Sequence, residues 1–149
     1  MRHETFESAL RSTWQLVSKM YNKEALHFDS TMAMGFALLS IDPDGTPSTN
    51  LGPKMGMEST SLSRLLNAME ERGLINRIKN PNDGRRVLIH LTPFGKENRE
   101  NSKTVVLNFN ERIDNQLTNE KINHFFEVIE CIRETTLNFE HYNKLTTKK

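Results

Sequence analysis

Arg64 and Asn67 stand three residues apart, so any helix that contains them carries both on one face, in company with Ser59, Thr60, Ser61 and Ser63. Short hydroxyls and amides let a helix approach base edges and phosphates, and an arginine adds charge and a forked donor. Together they have the chemistry of a helix seated in a DNA major groove. Further along, Asp83, Arg85 and Arg86 crowd the tip of a hairpin. Arginines there could probe a minor groove, where a narrow groove concentrates negative potential. Asp83 would be repelled by phosphate. Its expected role is to accept hydrogen bonds from a nearby guanidinium and to hold Arg85 extended. Taken singly, each set also fits a solvated surface, an ordinary helical hairpin in one case and a soluble turn in the other.

Charge separates these readings where bulk composition does not. The whole chain carries 20 Lys and Arg against 19 Asp and Glu. Between Thr46 and Thr92, however, Lys54, Arg64, Arg72, Arg77, Lys79, Arg85 and Arg86 face only Glu58, Glu70, Glu71 and Asp83. That stretch is +3 within a chain of +1, leaving −2 for the remainder. The basic excess sits where the contact is expected.

Periodicity supplies the elements that must position these side chains. Phe6, Leu10, Trp14, Val17 and Tyr21 recur at steps of three and four, predicting a long amphipathic helix from Thr5 to about Leu26. Asp29 or Ser30 is expected to cap a second, mostly apolar helix, Thr31 to Ile41. Asp42-Pro43-Asp44-Gly45 is a turn, and Thr46-Pro47 reads as an N-cap with proline at the first helical position. A short helix to about Met55, a turn at Gly56 and a helix from Glu58 to Arg72 complete a pair. The second helix buries Leu62, Leu65, Leu66 and Met69 and stops at Gly73. Leu74–Lys79 and Arg85–Leu91 are strand candidates around the hairpin loop Asn80–Gly84. Thr92 caps a polar helix, and Thr118 caps a last one with Ile122, Phe125, Phe126, Ile129 and Ile132 on one face. Only the Lys148-Lys149 end looks frayed.

With that order on the page, two runs resemble the MarR family of regulators. Gly56-Met57-Glu58-Ser59-Thr60-Ser61-Leu62-Ser63-Arg64-Leu65-Leu66, with Met69-Glu70-Glu71-Arg72-Gly73-Leu74-Ile75, is similar to the family's recognition helix and strand entry. Asn80-Pro81-Asn82-Asp83-Gly84-Arg85-Arg86, with Leu91-Thr92-Pro93-Phe94-Gly95, resembles its wing, Asp83 and Arg85 falling on the Asp-x-Arg signature. The resemblance is dense from Thr46 to Lys96 and elsewhere rests on helix order. It implies a predominantly α-helical winged helix-turn-helix subunit: a single 1–149 domain with the winged part at 31–92 and dimerisation helices at 1–28 and 93–145. It further implies a homodimer on double-stranded DNA and a small-molecule effector, for which a lipophilic or aromatic anion is the expected type. Trp14, Phe28, Met32 and Phe36 are the candidate lining of its pocket, with plain core packing as the alternative for each. Leu51-Gly52-Pro53 departs from the family's regular helix, so Pro53 is expected to shorten or kink the first helix of the pair.

Other chemistries find no support. His3, His27, His90, His124 and His141 are dispersed, Cys131 is the single cysteine, and no metal-ligand spacing occurs, so neither a metal nor a cofactor is expected. Cys131, beside Ile129 and Ile132, is expected to be a buried, inert thiol. No nucleophile–base spacing or phosphate-binding glycine loop points to an enzyme. Without a signal peptide or a membrane-length apolar run, a cytoplasmic protein with no membrane partner is expected. The reading is a sequence-specific transcriptional regulator, a repressor released from an inverted-repeat operator by its effector. The alternative is a winged-helix adaptor that binds protein and no specific DNA.

Overall fold

The structure, a computed structural model, describes residues 4–146, with side chains described as far as Phe139. His3, Lys148 and Lys149 lie outside the described residues, as does the side chain of His141. The chain forms two compact units, Met1–Val106 and Leu107–Lys149.

In the first unit, α1 (Phe6–Ala25) realises the long amphipathic stripe, but none of its residues is buried. Phe6, Leu10 and Trp14 remain largely exposed. Trp14 stacks on Phe36 with ring centroids 6.4 Å apart, and Tyr21 meets the same ring edge-on at 5.7 Å. A 3-10 turn (Leu26–Phe28) leads to Asp29, held in the left-handed region at φ 51. The cap of α2 (Met32–Ser40) is therefore Thr31, and neither Asp29 nor Ser30 as expected. Thr31 has the extended backbone a cap needs, and its hydroxyl accepts the Met34 N–H at 3.2 Å. Met34, Ala37 and Leu38 of this helix enter the core.

The turn at Asp42–Gly45 forms as expected, with Gly45 at φ 96 and its N–H donating to the Asp42 carbonyl. Thr46-Pro47 does not cap and start a helix. It is a strand, β1, pairing antiparallel with β3 (Asp83–Leu91) through Thr46↔Ile89 and Pro47↔Leu88. The Thr46 hydroxyl turns back to the turn, accepting the Asp42 N–H and donating to the Asp42 carboxylate. Pro47 is tolerated because β1 is an edge in the order β1-β3-β2, where a missing N–H costs no ladder bond. β2 (Ile75–Asn80) forms the other edge.

The helix pair is α3 (Ser48–Met55) and α4 (Ser59–Glu71). Pro53 lies inside α3, near its end, and the helix is only eight residues long. It stops at Gly56, whose φ of 62 is open to glycine at little cost. Leu51 of α3, Leu62, Leu66 and Met69 of α4, and Leu74, Ile75 and Ile89 of the sheet join α2 in one core, with Leu65 and Met55 packed against it. α4 closes at Gly73 (φ 71) in a Schellman arrangement, Leu74 N–H to the Met69 carbonyl and Gly73 N–H to that of Glu70. This stop delivers the chain directly into β2. β3 does not alternate cleanly as expected: Val87, Leu88, His90 and Leu91 are all half-buried around a buried Ile89.

α5 (Pro93–Asp114) starts at Thr92 as expected, its hydroxyl accepting the Gly95 N–H at 2.9 Å. The same hydroxyl donates to the Gly73 carbonyl, and the Thr92 N–H donates to that of Leu74 at 3.1 Å, so one residue fastens the start of α5 to the end of α4.

In the second unit, α6 (Asn119–Thr146) follows a Thr118 cap, the Thr118 hydroxyl accepting from Lys121 N at 3.4 Å. Ile122, Ile129 and Ile132 are half-buried, whereas Phe125 and Phe126 meet edge-on at 5.3 Å and stay exposed. Cys131 is exposed, contrary to the expected burial. Apolar neighbours in sequence do not by themselves bury a side chain on a helix; what packs over its face decides that.

Candidate nucleic-acid interface

All six side chains expected to face DNA from the second helix of the pair, Ser59, Thr60, Ser61, Ser63, Arg64 and Asn67, are exposed on α4. Their exposure follows from the opposite stripe of Leu62, Leu66 and Met69, which anchors α4 to the core and turns the polar residues outward. No side chain caps the N-terminus of α4. Its first N–H groups therefore add to a surface already suited to phosphate. A groove between α3 and α4 gathers the hydroxyls of Ser48, Thr49, Ser59 and Ser63 over a floor of Leu62 and Leu66. Ser48 and Thr49, which the sequence reading placed within the first helix of the pair, were not singled out as candidate site residues.

The wing differs from expectation in its detail. β2 pairs with β3 from Ile75↔Leu91 to Lys79↔Val87, and then Asn80 pairs with Asp83. Gly84, Arg85 and Arg86 thus have no opposite residue on β2 and bulge from the ladder. The loop shrinks to Pro81-Asn82, with the Asn80 side chain accepting the Asn82 N–H at 3.0 Å. Asp83 does accept a guanidinium, but from Arg86 at 3.3 Å and not from Arg85. It holds Arg85 by the backbone, its other oxygen accepting the Arg85 N–H at 3.1 Å. Neighbours three apart across a bulge can meet, whereas the Arg85 side chain leaves in another direction. Arg85 is left exposed and Arg86 largely so.

One participant came from neither run. Arg77, on β2, donates through Nη2 to Asn67 Oδ1 at 2.8 Å and lies 3.8 Å from the Glu70 carboxylate. Ten residues separate Arg77 from Asn67, and no local spacing announces the pair. The signal lies in the Gly73 stop, which folds β2 back along α4. Lys54 is a second omission: its ammonium reaches the Ser40 carbonyl at 3.1 Å and the Asp42 carboxylate at 3.2 Å, tying α3 to the turn before β1. The Lys54 hydrogen bond, helped by Thr46, holds the Asp42 carboxyl below its ordinary pKa.

Three of the four candidate effector residues meet at a cleft. Phe28, Met32 and Phe36 line it with Tyr21, Asn98 and Ser102, while Trp14 lies behind, stacked on Phe36. The empty space is about 440 Å³ with open solvent included, but only about 40 Å³ admits the centre of a water molecule, so the cleft is narrow. Among the described residues, no basic side chain lines it. Burial pushes the Tyr21 phenol up from its ordinary pKa. Arg72, at the end of α4, donates to the Phe28 carbonyl at 3.4 Å and to Met34 Sδ at 3.3 Å, joining one wall of the cleft to the helix pair. Among the described residues, no group of three or more His, Cys, Asp or Glu could hold a metal ion, and no helix is long and apolar enough to cross a membrane.

A helix pair, an antiparallel hairpin behind it and a third strand closing the sheet define the winged helix-turn-helix class. Solved structures share the fold at low identity. MepR of S. aureus in complex with DNA has a TM-score of 0.82 and 20% identity, covering 89% of this chain and 99% of that one. PcaV of Streptomyces coelicolor with its natural ligand has 0.75 and 19%, covering 91% and 99%. Wild-type MarR of E. coli has 0.71 and 21%, covering 88% and 98%. Residues 39–87 match the model of the MarR family. The uncharacterized HTH-type transcriptional regulator YdgJ of Bacillus subtilis (strain 168) is 27% identical over 97 residues, 65% of this chain and 59% of that protein. The likeness to the MarR family is thus carried by the winged-helix core, residues 39–87, and the rest of the chain shares the fold of these solved structures.

Proposed function

We propose that this protein is a sequence-specific, DNA-binding transcriptional regulator that acts as a homodimer. The observation that carries the reading is the exposed face of α4 bearing Ser59, Thr60, Ser61, Ser63, Arg64 and Asn67, set beside a wing whose bulge thrusts out Arg85 and Arg86. α4 would enter the major groove and Arg85 the adjacent minor groove, with Asp83 as a brace. The dimerisation helices would be 1–28 and 93–145. In support, α1 leaves Phe6, Leu10 and Trp14 uncovered and α6 leaves Phe125 and Phe126 uncovered, a distribution a second subunit would bury. Repression would be relieved by a lipophilic or aromatic effector in the Phe28–Phe36 cleft. An anionic effector would find hydroxyls and the Asn98 amide there but no cation. An occupant large enough to part the walls displaces Phe28, and through Arg72 the end of α4.

Two-fold symmetry sets the test. Two copies of α4 must enter grooves on one side of the duplex about one helical turn, roughly 34–36 Å, apart, on an inverted repeat with half-sites about 10 base pairs apart. We expect purified protein to bind random duplex DNA with a steep salt slope and to lose its operator when about 5 base pairs are inserted between half-sites. No salt-dependent binding would favour the protein-binding adaptor. Equal affinity for the half-turn insertion would refute the rigid dimer.

A further inference from the structure

The Asn67–Arg77 contact fixes more than a position. A guanidinium has donors and no acceptor, so the amide atom facing it at 2.8 Å must be the carbonyl oxygen. The orientation of Asn67 is thus dictated by chemistry, and its Nδ2 group points elsewhere. Glu70, one turn on from Asn67 along α4, lies 3.8 Å from the same guanidinium and opposes its leaving. A free asparagine on a recognition helix offers a donor and an acceptor side by side, the pattern that pairs with adenine N6 and N7 in the major groove. One of the two Oδ1 lone pairs is thus taken and the oxygen is turned to Arg77, which leaves Nδ2 as the end of the amide not held by that contact.

We propose that Arg77 is a positioning residue that, by holding Oδ1 of Asn67 toward itself, makes Asn67 read the major groove through Nδ2, favouring acceptor edges such as guanine N7 and O6 or thymine O4 over the two-bonded adenine contact. This rests on the reading of α4 as the groove-entering helix. Arg77 does this from the wing strand, so the wing takes part in base selection at a place its own tip does not reach. Sequence specificity at this position then belongs to a pair of residues on two elements, and a change in either rewrites it.

The test is selection from a pool of random duplexes by the full-length protein. Wild-type protein is first required to bind the pool with a steep salt slope. Failure at that step refutes the DNA-binding reading itself and not the role of Arg77 alone. Arg77→Met removes the donor and frees Oδ1. We expect adenine to become enriched about tenfold at one position per half-site, the discrimination a two-bonded contact provides. The enrichment should vanish in Arg77→Met with Asn67→Ala, and Arg77→Lys, which also donates without accepting, should retain the wild-type preference. Thermal unfolding of each variant confirms the fold, and base preference, unlike affinity, is unmoved by the mere loss of a positive charge. An Arg77→Met protein that folds, binds and selects the wild-type bases would overturn the proposal, as would an adenine gain that survives loss of Asn67.

Discussion

Gly95→Ala tests the joint between α4 and α5 most severely. A Cβ at this position would overlap the Leu74 carbonyl oxygen and come within 3.0 Å of its carbon. Both are backbone, so no side-chain rotation relieves the clash. The first turn of α5 must retreat by roughly 1 Å to restore ordinary contact distances. That retreat loosens two hydrogen bonds, Thr92 N–H to the Leu74 carbonyl and the Thr92 hydroxyl to the Gly73 carbonyl, in a segment where Leu74 and Gly95 are buried. At about 1 kcal/mol for each bond, and about 1–3 for a carbonyl left unsatisfied, the loss is about 3–5 kcal/mol. The better helix propensity of alanine returns up to about 1 kcal/mol. A net loss of about 2–5 kcal/mol lowers Tm by roughly 4–20 °C for a chain of this size. Circular dichroism melts at matched protein concentration measure it, since the Tm of a self-associating protein depends on concentration. Gly35→Ala is the control, because its Cβ meets only side-chain atoms of Ser102, the hydroxyl at 3.2 Å and the Cβ at an ordinary 3.7 Å, and should cost much less. A Gly95→Ala protein as stable as wild type would show that the α4–α5 joint is not the tight closure described.

Two other perturbations bear on the interface and the helix pair. Arg85→Ala should weaken operator binding by about 1–3 kcal/mol and reduce the salt slope by roughly one, with the melt unchanged; full affinity in a folded variant removes the wing from the contact. Lys54→Met should let the Asp42 carboxyl rise toward its ordinary pKa, read by NMR titration of Asp42. Since Asp42 is depressed in the folded state, its stabilising contribution is present above its ordinary pKa and is lost as acid takes the pH through the lowered value. The variant should therefore show a smaller acid-dependent loss of stability, and an unmoved Asp42 titration would sink this account.

Legibility from sequence followed how local each cause was. Gly56 and Gly73 marked the ends of α3 and α4 because a left-handed residue after a helix leaves its mark in composition, and the apolar stripe of α4 gave its exposed face directly. The turn at Asp42–Gly45 was equally plain, but the element after it was not. Thr46-Pro47 carries the signature of a helix start, and only Ile89, far along the chain, makes it a strand. The wing's residues were found while their bonding was mistaken, since the bulge that turns Arg86 to Asp83 depends on strand register. Arg77 and Lys54 escaped for the same reason, acting on residues ten and twelve positions away. Cys131 was misjudged from its sequence neighbours, because burial on a helix is decided by what covers a face.

The small strand β1 also shapes how the winged part must assemble. β2 and β3 meet across a two-residue loop, so the hairpin is a local structure that can form early. Thr46 and Ile89 are 43 positions apart in sequence, and both are completely or almost completely buried. Closing a chain segment of that length costs about 3 kcal/mol in entropy, before any added constant. The pairing gains little until α3 and α4, which lie inside the closed segment, have packed on the same core. Helix pair and hairpin are thus bound into one cooperative unit by a clasp two residues long. The wing is not an appendage that a shortened version of the protein could shed, for without β3 the chain entering α3 loses its strand partner and the cover of Ile89 over Thr46.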